Sequence, residues 1–302
     1  MSRFVVCLTL LTLTTAAAHA QTPQAREVRT VPVVSGVYML MGNGGNIGLS
    51  IGPDATFIVD DQYAPMVPNI IAAVQKLTDK PVRFVVNTHW HGDHMGGNEA
   101  FGKAGSLIVA HDNVRRRLTS EQVIEFFNTK VPPSPKDALP VVTFSDTVTF
   151  HINNDELVAF HVAAAHTDGD VIVYWKRANV IHMGDTFFAS GYPFIDLGTG
   201  GTINGIIAAA DHAMAIANDN TKIIPGHGEL ATTAQLREYR HAMSTIRDRI
   251  RTQIAANKTL PQVIAAKPTA DFDEKYGKSY IKPEQFVEFV YRSLHSATGH
   301  RH

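Results

Sequence analysis

Four side chains able to hold a metal ion fall within six residues at His89-Trp90-His91-Gly92-Asp93-His94. Imidazole and carboxylate suit zinc and similar divalent ions, and a solvated histidine cluster is the weaker reading of so dense a pattern. The segment directly follows a β-branched run, Val82–Val86. In extended backbone alternate residues share a side, so His89, His91 and Asp93 are expected to converge while Trp90 turns away. A turn at Gly92 would bring His94 round to the same cavity. Thiolate chemistry is excluded from the mature chain, because the single cysteine, Cys7, falls in a leader-like segment. Any metal must therefore be held by histidines and carboxylates.

This motif resembles that of the metallo-β-lactamase superfamily, and further segments follow in that family's order. His166 lies in Ala164-Ala165-His166-Thr167-Asp168-Gly169-Asp170, Asp185 in His182-Met183-Gly184-Asp185-Thr186, and His227 in Pro225-Gly226-His227-Gly228. Each follows a predicted strand, and together they extend the resemblance over about residues 30–230. It implies an α/β fold, a four-layer αββα sandwich with metals at one edge of two facing sheets. It also implies zinc, two ions per chain: His89, His91 and His166 at the first, Asp93, His94 and His227 at the second, and Asp185 bridging. Three protein ligands per ion leave room for water, and a pair of ions can activate that water and polarise a carbonyl without a nucleophilic side chain. Asp93 is then the candidate catalytic residue, orienting the water and shuttling its proton. Asp60 matches the position at which the superfamily keeps a carboxylate that orients a ligand histidine; Asp61 beside it is expected to be solvated.

Within that superfamily one metal platform serves β-lactams, lactones, thioesters, phosphodiesters and redox chemistry. A large group of zinc β-lactamases has Cys where this chain has Asp185, and Lys three positions later, where this chain has Phe188. A bridging Asp185 together with His94 looks more like glyoxalase II and the lactonases. The expected function is an exported dinuclear zinc hydrolase that opens a cyclic amide or ester, β-lactamase-like. The alternatives are a lactonase or a glyoxalase II-like thioesterase, and an iron oxygenase of the persulfide-oxidising kind using His89, His166 and Asp185 around one metal. Phe187, Phe188, Tyr192, Pro193 and Phe194 follow Asp185 closely enough to be expected at the rim of the pocket.

The elements that must position these residues are a mixed set. Short β-rich runs at Val37–Met41, 46–51 and Thr56–Val59 suggest a meander, followed by a helix over 69–77 and the strand Val82–Val86. Further strands are predicted at 107–110, Thr147–Ile152, 157–162, Val171–Trp175 and 180–183, the last two joined as a hairpin. Helices are predicted over 203–217 and 231–256, the second with Leu236, Tyr239, Met243, Ile246, Ile250 and Ile254 on one face. Arg115-Arg116-Arg117 reads as a solvated helix face. His111, His151, His161 and His182 read as core or surface histidines, and the glycines of 197–201 as a loop. His295, His300 and His302 read as a polar tail.

Composition sets the remaining bounds. The 302 residues are 44% hydrophobic and 18% charged with a net charge of −1, which excludes a disordered chain and gives no basic field for nucleic acid. Arg3, the apolar run 4–17 and Ala18-His19-Ala20 read as a secretory signal peptide, residues 1–20. Periplasmic or secreted localisation follows, with no membrane anchor after cleavage and a small molecule as partner. Residues 21–302 show no linker or composition shift and are expected to form one domain with a C-terminal helical segment.

Overall fold

The computed structural model describes residues 27–296. The leader segment 1–20, Cys7, and the tail histidines His300 and His302 lie outside the described residues. The chain begins with four antiparallel strands, β1 (Arg29–Val34), β2 (Val37–Met41), β3 (Ile47–Ile51) and β4 (Thr56–Val59). Helix α1 (Val67–Gln75) leads to β5 (Val82–Val86), and the short helices α2 (Gly92–Met95) and α3 (Asn98–Lys103) lead to β6 (Leu107–His111) and α4 (Asp112–Leu118). A small hairpin, β7 (Gln122–Ile124) and β8 (Thr129–Val131), precedes β9 (Val142–Phe144). The first sheet runs β1-β2-β3-β4-β5-β6-β9, with β4, β5, β6 and β9 parallel.

The second sheet starts with the antiparallel strands β10 (Thr147–Ile152), β11 (Asp155–His161), β12 (Val171–Trp175) and β13 (Val180–His182). After helix α5 (Ile203–Ile216), β14 (Lys222–Ile224) pairs parallel to β13, and β15 (Ala231–Thr232) closes the edge. Helix α6 (Thr233–Ala255) opens with a capping box between Thr232 and Gln235, which satisfies two of its first amide groups. Then follow α7 (Leu260–Ala265), α8 (Asp273–Tyr276) and α9 (Pro283–Ser296).

The strand alternation assigns the layers. In β4, Phe57 and Val59 pack between the sheets, while Ile58 points the other way onto Ile70 and Val74 of α1. In β12, Val171, Val173 and Trp175 meet that same inter-sheet core, while Ile172 faces the layer of Ile206, Leu236 and Met243. Strands buried on both faces are thus covered by helices on their outer sides, giving the four-layer αββα sandwich. Most predicted strands appear within a residue or two of their expected ends. Two expectations are corrected. The helix predicted to start at 69 starts at Val67, with Pro68 in its first turn, where a missing amide hydrogen costs nothing. In the second, the segment between α4 and β9, for which the sequence suggests no element, contains the β7–β8 hairpin.

Candidate metal centre

Every candidate ligand sits just beyond the end of a strand, and the two sheets bring these ends to one edge. His89 and His91 follow β5, His166 lies in the β11–β12 connection, Asp185 follows β13 and His227 follows β14. The chain after β5 does not continue as extended backbone, contrary to the expectation. Helix α2 starts directly after His91, so Asp93 and His94 project from a helical turn, and Gly92 takes no left-handed conformation. Trp90 does turn away, into a cluster with Met95, Ala110, Val114 and Leu118.

The side chains fall into three overlapping groups whose ligand atoms lie within 4.8 Å of one another: His89, His91 and His166; His89, His94 and Asp185; Asp93, His94 and His227. His91 Nδ1 stands 2.8 Å from His166 Nε2. On the other side, His94 Nε2 is 3.3 Å from His227 Nε2, and Asp93 Oδ2 is 3.3 Å from His227 Nε2. Asp185 straddles the two sets: Oδ1 is 3.0 Å from His94 Nε2 and 3.4 Å from His227, while Oδ2 is 3.6 Å from His166 Nε2 and 3.9 Å from His89 Nε2. One buried atom in this cluster, His89 Nε2, makes no hydrogen bond. A buried polar atom without a partner is costly, and imidazole and carboxylate atoms crowded round a common point are what a cation site requires. All seven side chains named from the sequence therefore converge, and the donor set suits divalent metal ions.

A layer of partners fixes the imidazoles. Asp60, fully buried, takes His94 Nδ1 at 2.7 Å and accepts Thr88 N–H and Thr88 Oγ1–H at 2.7 Å each. His166 Nδ1 donates to the Phe194 carbonyl at 2.8 Å. Asp196 lies 3.0 Å from His91 Nε2, a partner that no motif in the sequence pointed to. The β2–β3 loop presses on the centre from above: a Cβ on Gly45 would stand 2.1 Å from His94 Cε1, so only glycine fits there. Asn46 ties this loop to the His227 segment through Pro225 and Gly228 carbonyls.

Charge follows this geometry. Burial alone would raise Asp93, but His94 and His227 outweigh it and lower its pKa to about 2. Burial would depress His227, yet Asp185 and Asp93 outweigh that and raise it to about 9. His89, with burial and three neighbouring histidines against it, is held well below its ordinary value and stays neutral. Asp185 is ionised, since His94 and His227 overcome the cost of its burial.

Three readings are corrected. Asp61 is not solvated: it is fully buried, accepts Gly97 N–H at 2.8 Å, and burial pushes its pKa well up. Arg117 does not belong to a merely solvated face, because it makes a two-pronged pair with Asp168 at 2.7 and 3.1 Å and also reaches Gln122 at 3.0 Å. Of the expected rim residues, Phe188, Tyr192 and Phe194 line a cavity of about 770 Å³ at the centre, whereas Phe187 is core, packed edge-on against Tyr239, and Pro193 is buried and not part of the lining. That cavity also takes Ile124, Phe127, Thr129 and Val131 from the β7–β8 hairpin, a contribution that sequence reasoning missed.

A family model described as the metallo-beta-lactamase superfamily matches residues 48–227. The hydroxyacylglutathione hydrolase of Pelagibacter ubique is 26% identical over 129 residues, covering 42% of this chain and 46% of that protein. The probable hydroxyacylglutathione hydrolase glo2 of Schizosaccharomyces pombe is 25% identical over 205 residues, 64% of this chain and 68% of that protein. Among solved structures, the sec-alkylsulfatase Pisa1 from a Pseudomonas species has a TM-score of 0.69 at 16% identity, covering 88% of this chain and 50% of that one. A metallo-beta-lactamase from Pontibacter korlensis has a TM-score of 0.58 at 17% identity, covering 72% and 99%. The chain thus spans about half the length of the Pelagibacter hydrolase and of the alkylsulfatase, and its likeness to the solved structures is one of fold.

Proposed function

Because the chain belongs to the metallo-β-lactamase superfamily, we propose that it is a hydrolase opening a cyclic amide or ester at a centre of two zinc ions. The observation that carries this reading is the convergence of His89, His91, His166, Asp93, His94, His227 and the straddling Asp185, four of which, His91, Asp93, Asp185 and His227, line one open cavity. His89, His91 and His166 would hold one ion and Asp93, His94 and His227 the other, with Asp185 between them. Bound there, the ions would supply Lewis acidity, polarising a carbonyl and acidifying a water.

The protein's own groups complete the chemistry. Asp93, ionised and partly open to the cavity, accepts the proton of the attacking water at its carboxylate and returns it to the departing nitrogen or oxygen. Asp60 and Asp196 hold His94 and His91 in fixed ring orientations, so that the ligand atoms need not reorganise. A carboxylate at Asp185, which would face both ions, favours the lactonase-like or glyoxalase II-like side of the reading over the β-lactamases, as does the absence of a lysine at Phe188. The reading includes export, with residues 1–20 removed and Gln21 as the new N-terminus, which mass spectrometry of the exported protein checks.

Turnover by the zinc-loaded protein on matched panels of β-lactams, lactones, thioesters and phosphodiesters tests the proposal. Ring opening of lactones or β-lactams supports it. Turnover confined to thioesters or phosphodiesters, or oxygen uptake with a persulfide by iron-loaded protein, replaces it.

A further inference from the structure

The cavity above the centre has two unlike ends. Its floor is polar, and every charged group lining it, His91, Asp93, Asp185 and His227, belongs to the candidate metal centre. The wall begins directly on those ligands. Phe188 stacks on His227 at 5.0 Å, and Phe194 lies 5.8 Å from His91 and 5.7 Å from His166. From Phe194 the aromatic surface runs outward to Phe127 at 5.1 Å and on to Tyr280, 5.8 Å from Phe127. Tyr280 is 72% exposed, an unusual position for a ring that covers no core of its own. Among the described residues, no lysine or arginine lines the cavity. The lysines nearest in sequence to the lining are each paired with another protein group: Lys130 with Glu121, Lys278 with Glu274, and Lys282 Nζ with the carbonyl of Ser279, a lining residue at the edge of the cavity.

We propose that this wall selects an uncharged substrate bearing an extended apolar group, an alkyl or aryl chain on the ring that is opened, laid along Phe194, Phe127 and Tyr280. The inference rests on the ring-opening reading and names its substrate class. A carboxylate carried on the chain would be stripped of water beside the wall with no cation to meet it, whereas an apolar chain gains by leaving water. The two outer rings come from parts of the chain with no role in holding the ions: Phe127 from the turn between β7 and β8, and Tyr280 from the segment between α8 and α9, beyond the residues that the family model matches. Specificity is thereby separated from the ligand set.

The first test is binding to the metal-free protein, measured by calorimetry with 2-octylcyclopentanone, with cyclopentanone, and with the octyl compound ending in a carboxylate. The expected order is octyl tightest, with Phe127→Ala and Tyr280→Ala each weakening it by about tenfold, the loss that follows when much of an aromatic contact is removed. Tighter binding of the carboxylate, or no change in either variant, overturns the proposal. The second test is kinetic, on zinc-loaded protein with γ-lactones of increasing alkyl length. The ratio of kcat/KM for long over short chains should fall in both variants, through KM and not kcat. Turnover indifferent to chain length overturns the wall and leaves the hydrolase reading intact. No turnover of any lactone or lactam, with chain-dependent binding still present, overturns the hydrolase reading and leaves the wall standing.

Discussion

The Asp196 carboxylate lies 3.0 Å from Nε2 of His91, and this contact leaves Nδ1 of the same ring facing His166 Nε2 at 2.8 Å. Two groups 105 positions apart in sequence thus decide which nitrogen His91 offers to an ion. Asp60 does the same for His94 from the opposite side, at 2.7 Å.

Removing either carboxylate should therefore weaken one half of the centre selectively. Asp196→Ala is expected to lower affinity at the His89, His91 and His166 site by about 10- to 100-fold, and Asp60→Ala to do so at the site holding His94. Competition with a chelator, followed ion by ion, measures both. Asp60→Ala should also reduce stability, by about 2–4 kcal/mol, because the buried Thr88 amide and hydroxyl lose their acceptor. Equal loss from both sites in either variant would contradict this division.

Gly45→Ala should impair the second site without any change of charge. The added methyl group would meet His94 Cε1, and the ring cannot yield while Asp60 holds its other edge. We expect a loss of about 1–3 kcal/mol in stability, as for other overpacked positions, together with a lower occupancy of the ion held by Asp93, His94 and His227. Chelator competition and thermal unfolding would register the two effects.

Arg117 connects the loop that carries His166 to the hairpin that lines the cavity, since it bonds both Asp168 and Gln122. The pair is about a quarter exposed on each side, so Arg117→Ala should cost only about 1 kcal/mol in stability. The larger effect is expected on KM, as the hairpin loses its anchor. Lys at this position should restore little, because it cannot make the two-pronged contact. Steady-state kinetics of the Ala and Lys variants decide this.

These contacts also mark what was legible in the sequence. The His89–His94 motif, the order of His166, Asp185 and His227, and the carboxylate at Asp60 could be read because each stands next to a strand end in a dense, chemically specific pattern. Asp196 could not, as a lone acid in a loop with nothing nearby in sequence to mark its partner. Asp61 and Arg117 were misread for a related reason: charged side chains default to solvent unless a distant partner buries them, and Gly97 and Asp168 are such partners. The β7–β8 hairpin has strands of three residues each, too short to show alternation. The layering was legible only through the family resemblance; β4 and β12 are nearly continuous apolar runs buried on both faces, but β5 carries the exposed Arg83 and does not show its place in the sandwich.

His111 gives a pH dependence independent of the ions. It caps α4 through Nδ1, which accepts Asn113 N–H at 3.2 Å, donates from Nε2 to the Ser145 carbonyl, and stacks on His161 at 3.8 Å. Burial first, and His161 second, lower its pKa below that of the unfolded chain. The unfolded state then binds the proton more readily, so the stability due to a neutral His111 is present above about pH 6.5 and is lost as pH falls through the lower folded value. His111→Asn keeps a capping acceptor but cannot titrate. In chelator-treated protein, denaturant unfolding at pH 7.5 and 5.5 should differ less for the variant than for the parent.

The central claim is a centre of two ions shared by seven side chains, and the count of ions is its most direct measure. Elemental analysis of the purified, zinc-replete protein, freed of loosely bound metal, should give two ions per chain. His227→Ala should reduce that to about one, and Asp185→Ala should weaken both, since its two oxygens face the two halves of the centre. A count of one in the parent protein under the same conditions would contradict the account.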